Sequence, residues 1–547
     1  MVILGARDAA APAPRTAPAF PFFRFGGDDS QGSPLAIVSG GLIYDRGEAE
    51  RTFIYRCQDR FLVYSSLCGL RSVFFVASER HAAIYRARIA AQRGLFDDIR
   101  RRSGLFADRH VVEPLYVGCD IDTLRVFAPR GFAVQCRTAA ESAGAGVALN
   151  QVSPTYAVLV GEIEALLRRH GIAVRWDVPE CERLGRLAWQ YSDKADYLSM
   201  VAGARELPPH VETVALSAAE LQVVRGYADL AALYRERAGT AAPERLFLKA
   251  TVNSAGNLAA LVDADTAAAQ LNRIRDLLAR EAATDGPALD GQVRELVQEV
   301  DDAPCLRPLA LSRRRLRAVK REQAKRRQVV DFLLQPQVCG ASGDGAFAGL
   351  GLNWLIAADG SVQPICVNAQ IYRDPDRKHF LGAFLSAATA RAAGASFELG
   401  VRALCGAYAR RGYRGPIGFD ARRTREGGYA LIYDCNPRLS GVFPSLAVRD
   451  ALVQSGIAID SVLTLGYRGE FVLADPAATL EALDRRGLLC SRKNPRGAVI
   501  LPNLCRDDGF DMHLVNVAPD DAERLLAPGG ALAAHCAAPS MPRRLYW

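Results

Sequence analysis

Methionine and tryptophan are scarce in this sequence, four of each in 547 residues, and histidine numbers only seven. The histidines are scattered and none clusters with cysteine, which argues against a zinc site. The thirteen cysteines include no CxxC pair. Most sit in apolar runs, Cys68, Cys136, Cys366 and Cys405 among them, as reduced and buried thiols do. No apolar run reaches the roughly 20 residues of a membrane helix, so no membrane partner is expected. The opening residues lack a basic stretch followed by a long apolar one, so they do not read as a secretion signal. The expected location is cytoplasmic. No DNA- or RNA-binding signature is present, and a net charge of +8 is mild for this length. Such a charge permits small anionic partners without demanding nucleic acid.

Half of the residues are hydrophobic, as in an ordinary globular protein, and the length implies three or four domains or subdomains. Residues 1–34 are rich in Pro, Ala and Gly and read as a disordered lead-in. From about Leu35 short apolar runs alternate with amphipathic stretches. Strands are expected at Arg51–Cys57, Phe61–Tyr64, Ser72–Ala77, Leu115–Val117, Leu124–Phe127, Phe132–Cys136 and Ile172–Trp176. Helices are expected at His81–Arg102 and Tyr156–His170. This alternation predicts an α/β domain over 35–184. The Ser39–Gly41 turn lacks the glycine fingerprint of a nucleotide loop.

The next unit opens on WQYSDK, where Ser192 or Asp193 can cap a helix running to about Ala202. An extended segment over Val211–Leu216 and a helix over Ala218–Arg237 follow. The strand Arg245–Ala250 ends in Lys249 and leads into a loop of small residues that includes Ser254, Ala255 and Gly256. Small side chains let backbone N–H groups approach an anion, while an ordinary β-turn loop is the bland alternative. Thr266–Val300 reads as helix broken at Gly286–Pro287, and Ser312–Arg327 carries nine Lys or Arg. That run is a solvated helix face, or a basic flank that attracts anionic ligands. Val329–Val338 is an apolar strand. Gly349–Ile356 and Ser361–Val367 form a hairpin, and Asn368-Ala369-Gln370 and Phe380-Leu381-Gly382 follow it. Ala388–Arg410 and Ser445–Ser455 are expected helices. Residues 456–547 read as a small α/β tail packed on the rest.

The richest stretch is GPIGFDARRTREGGYALIYDCNPRLSGVFPS, residues 415–445. Pro416–Ala421 and Tyr429–Tyr433 are apolar, and the charged segment between them ends Gly-Gly, a hairpin signal. A turn near Arg425–Glu426–Gly427 puts Asp420 opposite Tyr433 or Asp434. Asn436 and Arg438 then share a face with Asp434. Two carboxylates and an amide oxygen are hard ligands suited to Mg2+, and a guanidinium beside them suits a phosphate or carboxylate. The alternative is a solvated hairpin whose acids pair with Arg422 and Arg423.

This block resembles the end of the ATP-grasp domain, a Gly-x-x-Gly-x-Asp strand, a turn, and a Glu-x-Asn-Pro-Arg-like strand. The resemblance covers about residues 185–455. It implies that Asp420, Asp434 and Asn436 hold magnesium against ATP, and that Arg438 contacts transferred phosphate or the acyl substrate. Asp434 stands where most members have Glu. Lys194 and Lys249 match the lysines that reach nucleotide phosphate, and Ser254, Ala255 and Gly256 match the loop that closes on it. Gln335, Gln337 and Val338 fall at the hinge that reads adenine. The order of elements is similar to natural-product peptide ligases with a pre-ATP-grasp domain, of the pheganomycin-ligase type, which places Gln370 and Arg373 beside the acyl substrate.

The implied architecture is α/β (α+β): a pre-ATP-grasp α/β domain over 35–184, a two-subdomain ATP-grasp fold over 185–455 with an insertion at about 266–328, and a C-terminal α/β subdomain over 456–547. The implied activity is ATP-dependent joining of a small carboxylate to an amine through an acyl phosphate, with ATP and Mg2+ as cofactors. Lys249 and Arg438 would serve catalysis, and a homodimer is compatible with the reading. No covalent enzyme intermediate is required, and no Cys–His or Ser–His nucleophile pattern is present. A small-molecule phosphotransferase and a non-catalytic nucleotide-binding assembly protein stand as alternatives.

Overall fold

The computed structural model describes residues 35–39, 63–64, 67, 71–75, 79–106, 115–117, 147–149, 191, 193–202, 207–251, 258–281, 285–291, 293–294, 314, 317, 331–338, 347–357, 359–372, 380–437, 440–466, 471–472, 475–502, 509–527, 530–533 and 545. The expected lead-in over 1–34 lies outside these residues, as do the elements expected at 51–57, 124–127, 132–136, 156–170 and 172–176. Of the basic run 312–327, Arg314 and Arg317 are described, and both are helical.

The first of three sheets is parallel. It comprises β1 (Leu35–Ser39), β2 (Arg71–Phe75), β3 (Leu115–Val117) and β4 (Val147–Leu149), in the order β3-β2-β1-β4. Parallel neighbours need a crossover, and α1 (Glu79–Ser103) lies between β2 and β3 in the chain. The α/β alternation expected of this part is therefore present. Phe61–Tyr64 is a correction: Val63, Tyr64 and Leu67 are helical. All three are buried, and Val63 and Leu67 stand four apart, one helical turn. A four-residue apolar run cannot by itself separate strand from helix.

After α2 (Lys194–Ala202) comes a four-stranded antiparallel sheet of β5 (Val214–Leu216), β6 (Leu246–Ala250), β7 (Ala259–Val262) and β8 (Phe332–Pro336), in the order β5-β8-β6-β7. Three helices close one core on it: α3 (Ala218–Val223), α4 (Tyr227–Ala238) and α5 (Ala267–Glu281). Leu221, Leu230, Tyr234, Leu271 and Ile274 bury there against Leu246, Leu248, Phe332 and Leu334. α5 lies within the segment expected as an insertion, yet its apolar side belongs to this core. The single helix expected over 218–237 is two. Val224 turns extended, Gly226 opens α4, and the Arg225 N–H between them donates to the Asp229 carboxylate at 2.6 Å. Ser217 and Glu220 fix the start of α3 as a reciprocal capping box.

The third sheet has nine strands, all paired antiparallel. They are β9 (Gly349–Ile356), β10 (Val362–Tyr372), β11 (Phe380–Ser386), β12 (Gly415–Arg423), β13 (Tyr429–Asn436), β14 (Ser461–Leu465), β15 (Phe471–Val472), β16 (Gly497–Pro502) and β17 (Gly509–Val515). Their order is β13-β12-β9-β10-β11-β14-β17-β15, with β16 also on β17. The helices here are α6 (Ala387–Ala392), α7 (Ala395–Arg410), α8 (Phe443–Gln454), α9 (Pro476–Arg485) and α10 (Pro519–Leu526). Gly394, at φ +78, divides α6 from α7 where one helix is expected. The tail has the expected α/β make-up, but it is joined by strand pairing: β14 pairs with β11, so residues beyond 456 continue the sheet.

The two antiparallel sheets meet along β13. Val211 N donates to Leu431 O at 2.8 Å, and Leu431 N donates to Pro209 O at 2.9 Å. The connection into β5 thus runs along the outer edge of β13 and satisfies part of it.

Candidate active site

The expected 415–445 hairpin forms, and its turn is closed by Thr424 N donating to Gly428 O at 2.8 Å. Its pairing is irregular at one place. Phe419 pairs with Cys435 and Ala421 with Leu431, so Asp420 alone faces Ile432, Tyr433 and Asp434. Tyr433 adopts φ +53, unusual for a bulky residue. A bulge of this kind bends the strand and re-aims its groups. Here it takes the Ile432 carbonyl out of the ladder. That oxygen accepts from Lys249 Nζ at 2.5 Å and from Gln335 Nε2 at 3.2 Å, both from the neighbouring sheet.

An aromatic brace holds the bulge. The Tyr433 ring lies 5.2 Å from that of Tyr197 and 4.9 Å from that of His210, between centroids. His210 Nδ1 lies 2.7 Å from the Pro208 carbonyl and so carries the proton, which leaves Nε2 to accept from Tyr197 OH at 3.0 Å. Burial pushes the His210 pKa down to about 4, so the ring is neutral at ordinary pH.

Two lysines enter from the other side. Lys194 opens α2, capped by Asp193, whose carboxylate accepts from Ala195 N at 2.9 Å. Its own N–H donates to Thr251 O at 2.9 Å, tying α2 to the end of β6. Lys194 Nζ lies 3.9 Å from Asp434 Oδ1. Lys249 sits on β6 and is 5 % exposed. Burial pushes its pKa down to about 7; Asp434 and Asp420 oppose this, while Lys194 and Arg422 reinforce it. Lys249 is therefore poised between ammonium and amine near neutrality, and an arriving anion would favour the ammonium.

The face of the large sheet beneath these groups is polar. Gly349, Gly351 and Asn353 alternate along β9, and their partners on β12 are Arg422, Asp420 and Gly418. Asn436 pairs with Gly418, and Asn368 on β10 pairs with Gly351. Residues paired across antiparallel strands share a face. The face therefore carries Asp420, Asn436, Asn353, Asn368 and Arg422 over a strip relieved of side chains by glycine. Asn353 Oδ1 accepts from Ser440 Oγ at 2.7 Å, and its Nδ2 donates to Asn368 Oδ1 at 3.0 Å. Among the described residues no three of His, Cys, Asp or Glu converge. The expected hard-oxygen set is two carboxylates and one amide, of which Asp434 is 31 % exposed. That set suits a magnesium ion better than a softer metal.

The structure thus brings together Lys194, Lys249, Asp420, Asp434 and Asn436. Gln370 lies on the same sheet near Arg422, with which it shares a hydrogen bond of 2.6 Å. Gln335 turns its amide toward the junction between sheets, donating also to Thr213 Oγ1 at 2.8 Å. Gln337 and Val338 follow β8 and stay partly buried. Arg438, Arg373, Ser254, Ala255 and Gly256 lie outside the described residues. Of the expected thiols, Cys366 and Cys405 are free and buried, and Cys68 and Cys136 lie outside the described residues. No helix among the described residues is long and apolar enough to cross a membrane.

Three features escaped sequence reasoning: the freed Ile432 carbonyl, the Asn353–Asn368 pair, and the Arg422 cluster. The Gly349-x-Gly351 alternation was a usable signal, since it opens space above one face of a strand.

No protein-family model matches the chain, and no curated protein matches it. Solved structures do. The N5-carboxyaminoimidazole synthase of Aspergillus clavatus, in complex with ADP and the aminoimidazole ribonucleotide, is 11% identical with a TM-score of 0.42, covering 90% of this chain and 96% of that one. The biotin carboxylase domain of Hydrogenobacter thermophilus 2-oxoglutarate carboxylase, in complex with MgADP, ADP and bicarbonate, is 11% identical with a TM-score of 0.43, covering 91% and 90%. The N5-carboxyaminoimidazole ribonucleotide synthetase of Thermus thermophilus is 13% identical with a TM-score of 0.41, covering 89% and 95%. These are distant likenesses.

Proposed function

We propose that this chain is an ATP-dependent ligase of the ATP-grasp type, which joins a small carboxylate to an amine through an acyl phosphate. The observation that carries the reading is the convergence of Lys194 and Lys249 on Asp434 at the bulge where two antiparallel sheets meet. Phosphoryl transfer needs little covalent help from a protein; it needs cations and donors held in place. Lys194 and Lys249 hold nucleotide phosphates in this reading, with the small-residue loop Ser254–Gly256 closing over them. Gln335, Gln337 and Val338 border the base. Asp420, Asp434 and Asn436 would hold magnesium, which would supply positive charge to offset that of the phosphates. Arg438 steadies the transferring phosphoryl group. Gln370 and Arg373 border the acyl substrate. Amino-acid-like substrates of secondary metabolism are the finer form of this proposal, from the likeness to pre-ATP-grasp ligases.

The test is ADP release on mixing the protein with ATP, magnesium and pools of acids and amines, with products read by mass spectrometry. A new amide formed in step with ADP supports the ligase. A stable phosphorylated acceptor points to a phosphotransferase instead, and nucleotide binding without any turnover sinks both enzymatic readings.

A further inference from the structure

Arg422 extends across β9 toward β10, where Nη1 donates to Gln370 Oε1 at 2.6 Å and Nη2 donates to Tyr372 OH at 2.6 Å. Its guanidinium carbon lies 4.9 Å from the Tyr372 ring centroid, and Tyr372 OH in turn donates to Gln370 Oε1 at 2.5 Å. Gly349 is its cross-strand partner, and a Cβ there would collide with Nη1. Three elements thus cooperate to fix one guanidinium plane.

The partners that hold this plane are neutral. Among the described residues no carboxylate forms an ion pair with Arg422; Asp420 and Asp434 act on it only through space. Its hydrogen-bond partners therefore supply no counter-charge in direct contact. A guanidinium has five N–H donors, and the two bonds to Gln370 and Tyr372 use two of them. As a whole residue Arg422 is only partly buried. Its positive charge works against the ammonium of Lys249.

We propose that Arg422, held by Gln370 and Tyr372 over Gly349, binds a carboxylate of the acyl substrate. The inference rests on the ligase reading for the name of that substrate, and on geometry alone for the anion. A planar fork with free donors matches a planar carboxylate, and Arg is the side chain suited to that match. A nucleotide phosphate shares the oxyanion chemistry, but the lysines stand at β6 and α2 beside Asp434, whereas Arg422 reaches the opposite way, to β10.

The experiment is calorimetric titration of wild type, Arg422→Gln and Gln370→Glu with a panel of N-acetyl amino acids and their carboxamides, without nucleotide, and separately with magnesium and a non-hydrolysable ATP analogue. Expected is binding of panel acids but not of their carboxamides by wild type, weakened at least tenfold in Arg422→Gln, with analogue affinity changed less than about twofold. Gln370→Glu is nearly isosteric and supplies an internal counter-charge. It should abolish acid binding while raising the melting temperature. The proposal is overturned if wild type binds no acid in preference to its carboxamide, if Arg422→Gln binds acids as wild type does, or if that variant loses analogue affinity while keeping acids, which assigns Arg422 to phosphate. Wild type that binds acids but no analogue leaves the Arg422 inference standing and defeats the nucleotide reading.

Discussion

Lys249 and Ile432 lie 183 positions apart in the chain, and the lysine Nζ donates to the isoleucine carbonyl across the junction of two sheets. The carbonyl is available only because the strand bulges at Tyr433. In the proposed reaction this contact must be exchanged: an incoming phosphate takes the lysine from the backbone.

That exchange has a protonic signature. With its pKa pushed down to about 7, Lys249 is largely neutral at pH 8, and a bound phosphate restores its charge. Nucleotide binding at pH 8 should therefore take up a proton, seen as a dependence of calorimetric heat on buffer ionisation enthalpy. Affinity should fall as pH rises above about 7, and Lys249→Met should abolish the buffer dependence and weaken binding by roughly tenfold or more, the loss of a charge-assisted contact.

Asp434 is the carboxylate that meets Lys194 across the junction. Asp434→Asn keeps the shape and removes the charge, so ADP release should drop by at least about 100-fold, as when a group stabilising transferring charge is removed. Near-normal turnover in that variant would refute the metal assignment. Asp434→Glu should retain more activity than Asp434→Asn, since a longer carboxylate can still meet a cation.

Gly349 leaves the space that the Arg422 guanidinium fills. Gly349→Ala should destabilise the fold by about 1–3 kcal/mol, the usual cost of forcing atoms into a filled site. In an Arg422→Gln background the same change should cost less, because the obstacle is shorter. Denaturant unfolding of the four proteins of this cycle measures the coupling.

His210 has a pKa near 4 in the folded state because it is buried, against about 6.5 when unfolded. The unfolded chain thus binds a proton first as pH falls. The neutral ring's contribution is fully present above about pH 6.5 and is lost as pH falls toward 4. Melting temperature should decline over that window, and His210→Gln should flatten the decline. A profile unchanged by the substitution would show that the brace at Tyr433 does not depend on the neutral imidazole.

Much of this arrangement was readable beforehand, for local reasons. The 415–445 hairpin has its turn signal between two apolar runs, and alternation then puts Asp434 and Asn436 on one face. Asp193 caps α2 as its side chain and position foretell. The breaks at Gly226 and Gly394 were legible in principle, but helical periodicity on both sides conceals them. The bulge was not legible: Tyr433 occupies a left-handed conformation without being Gly or Asn, held there by Tyr197 and His210, which are remote in the chain. Arg422 enters the sequence reading only in the alternative, as a partner of the hairpin's acids, because Gln370 and Tyr372, which hold it, lie on β10 and strand order is a long-range property. The attachment of the tail was hidden for the same reason, since nothing local to residues 461–465 announces that they pair with 382–386.

That attachment sets the order in which the molecule can be made. β11 leaves the ribosome with one edge unpaired, and its partner β14 follows only after α6, α7, the β12–β13 hairpin and α8 have emerged. Through that interval the polar face can assemble on β9, β12 and β13 while the far edge of the same sheet remains an open template for foreign strands. The nascent chain therefore carries this open sheet edge until β14 emerges to cover it.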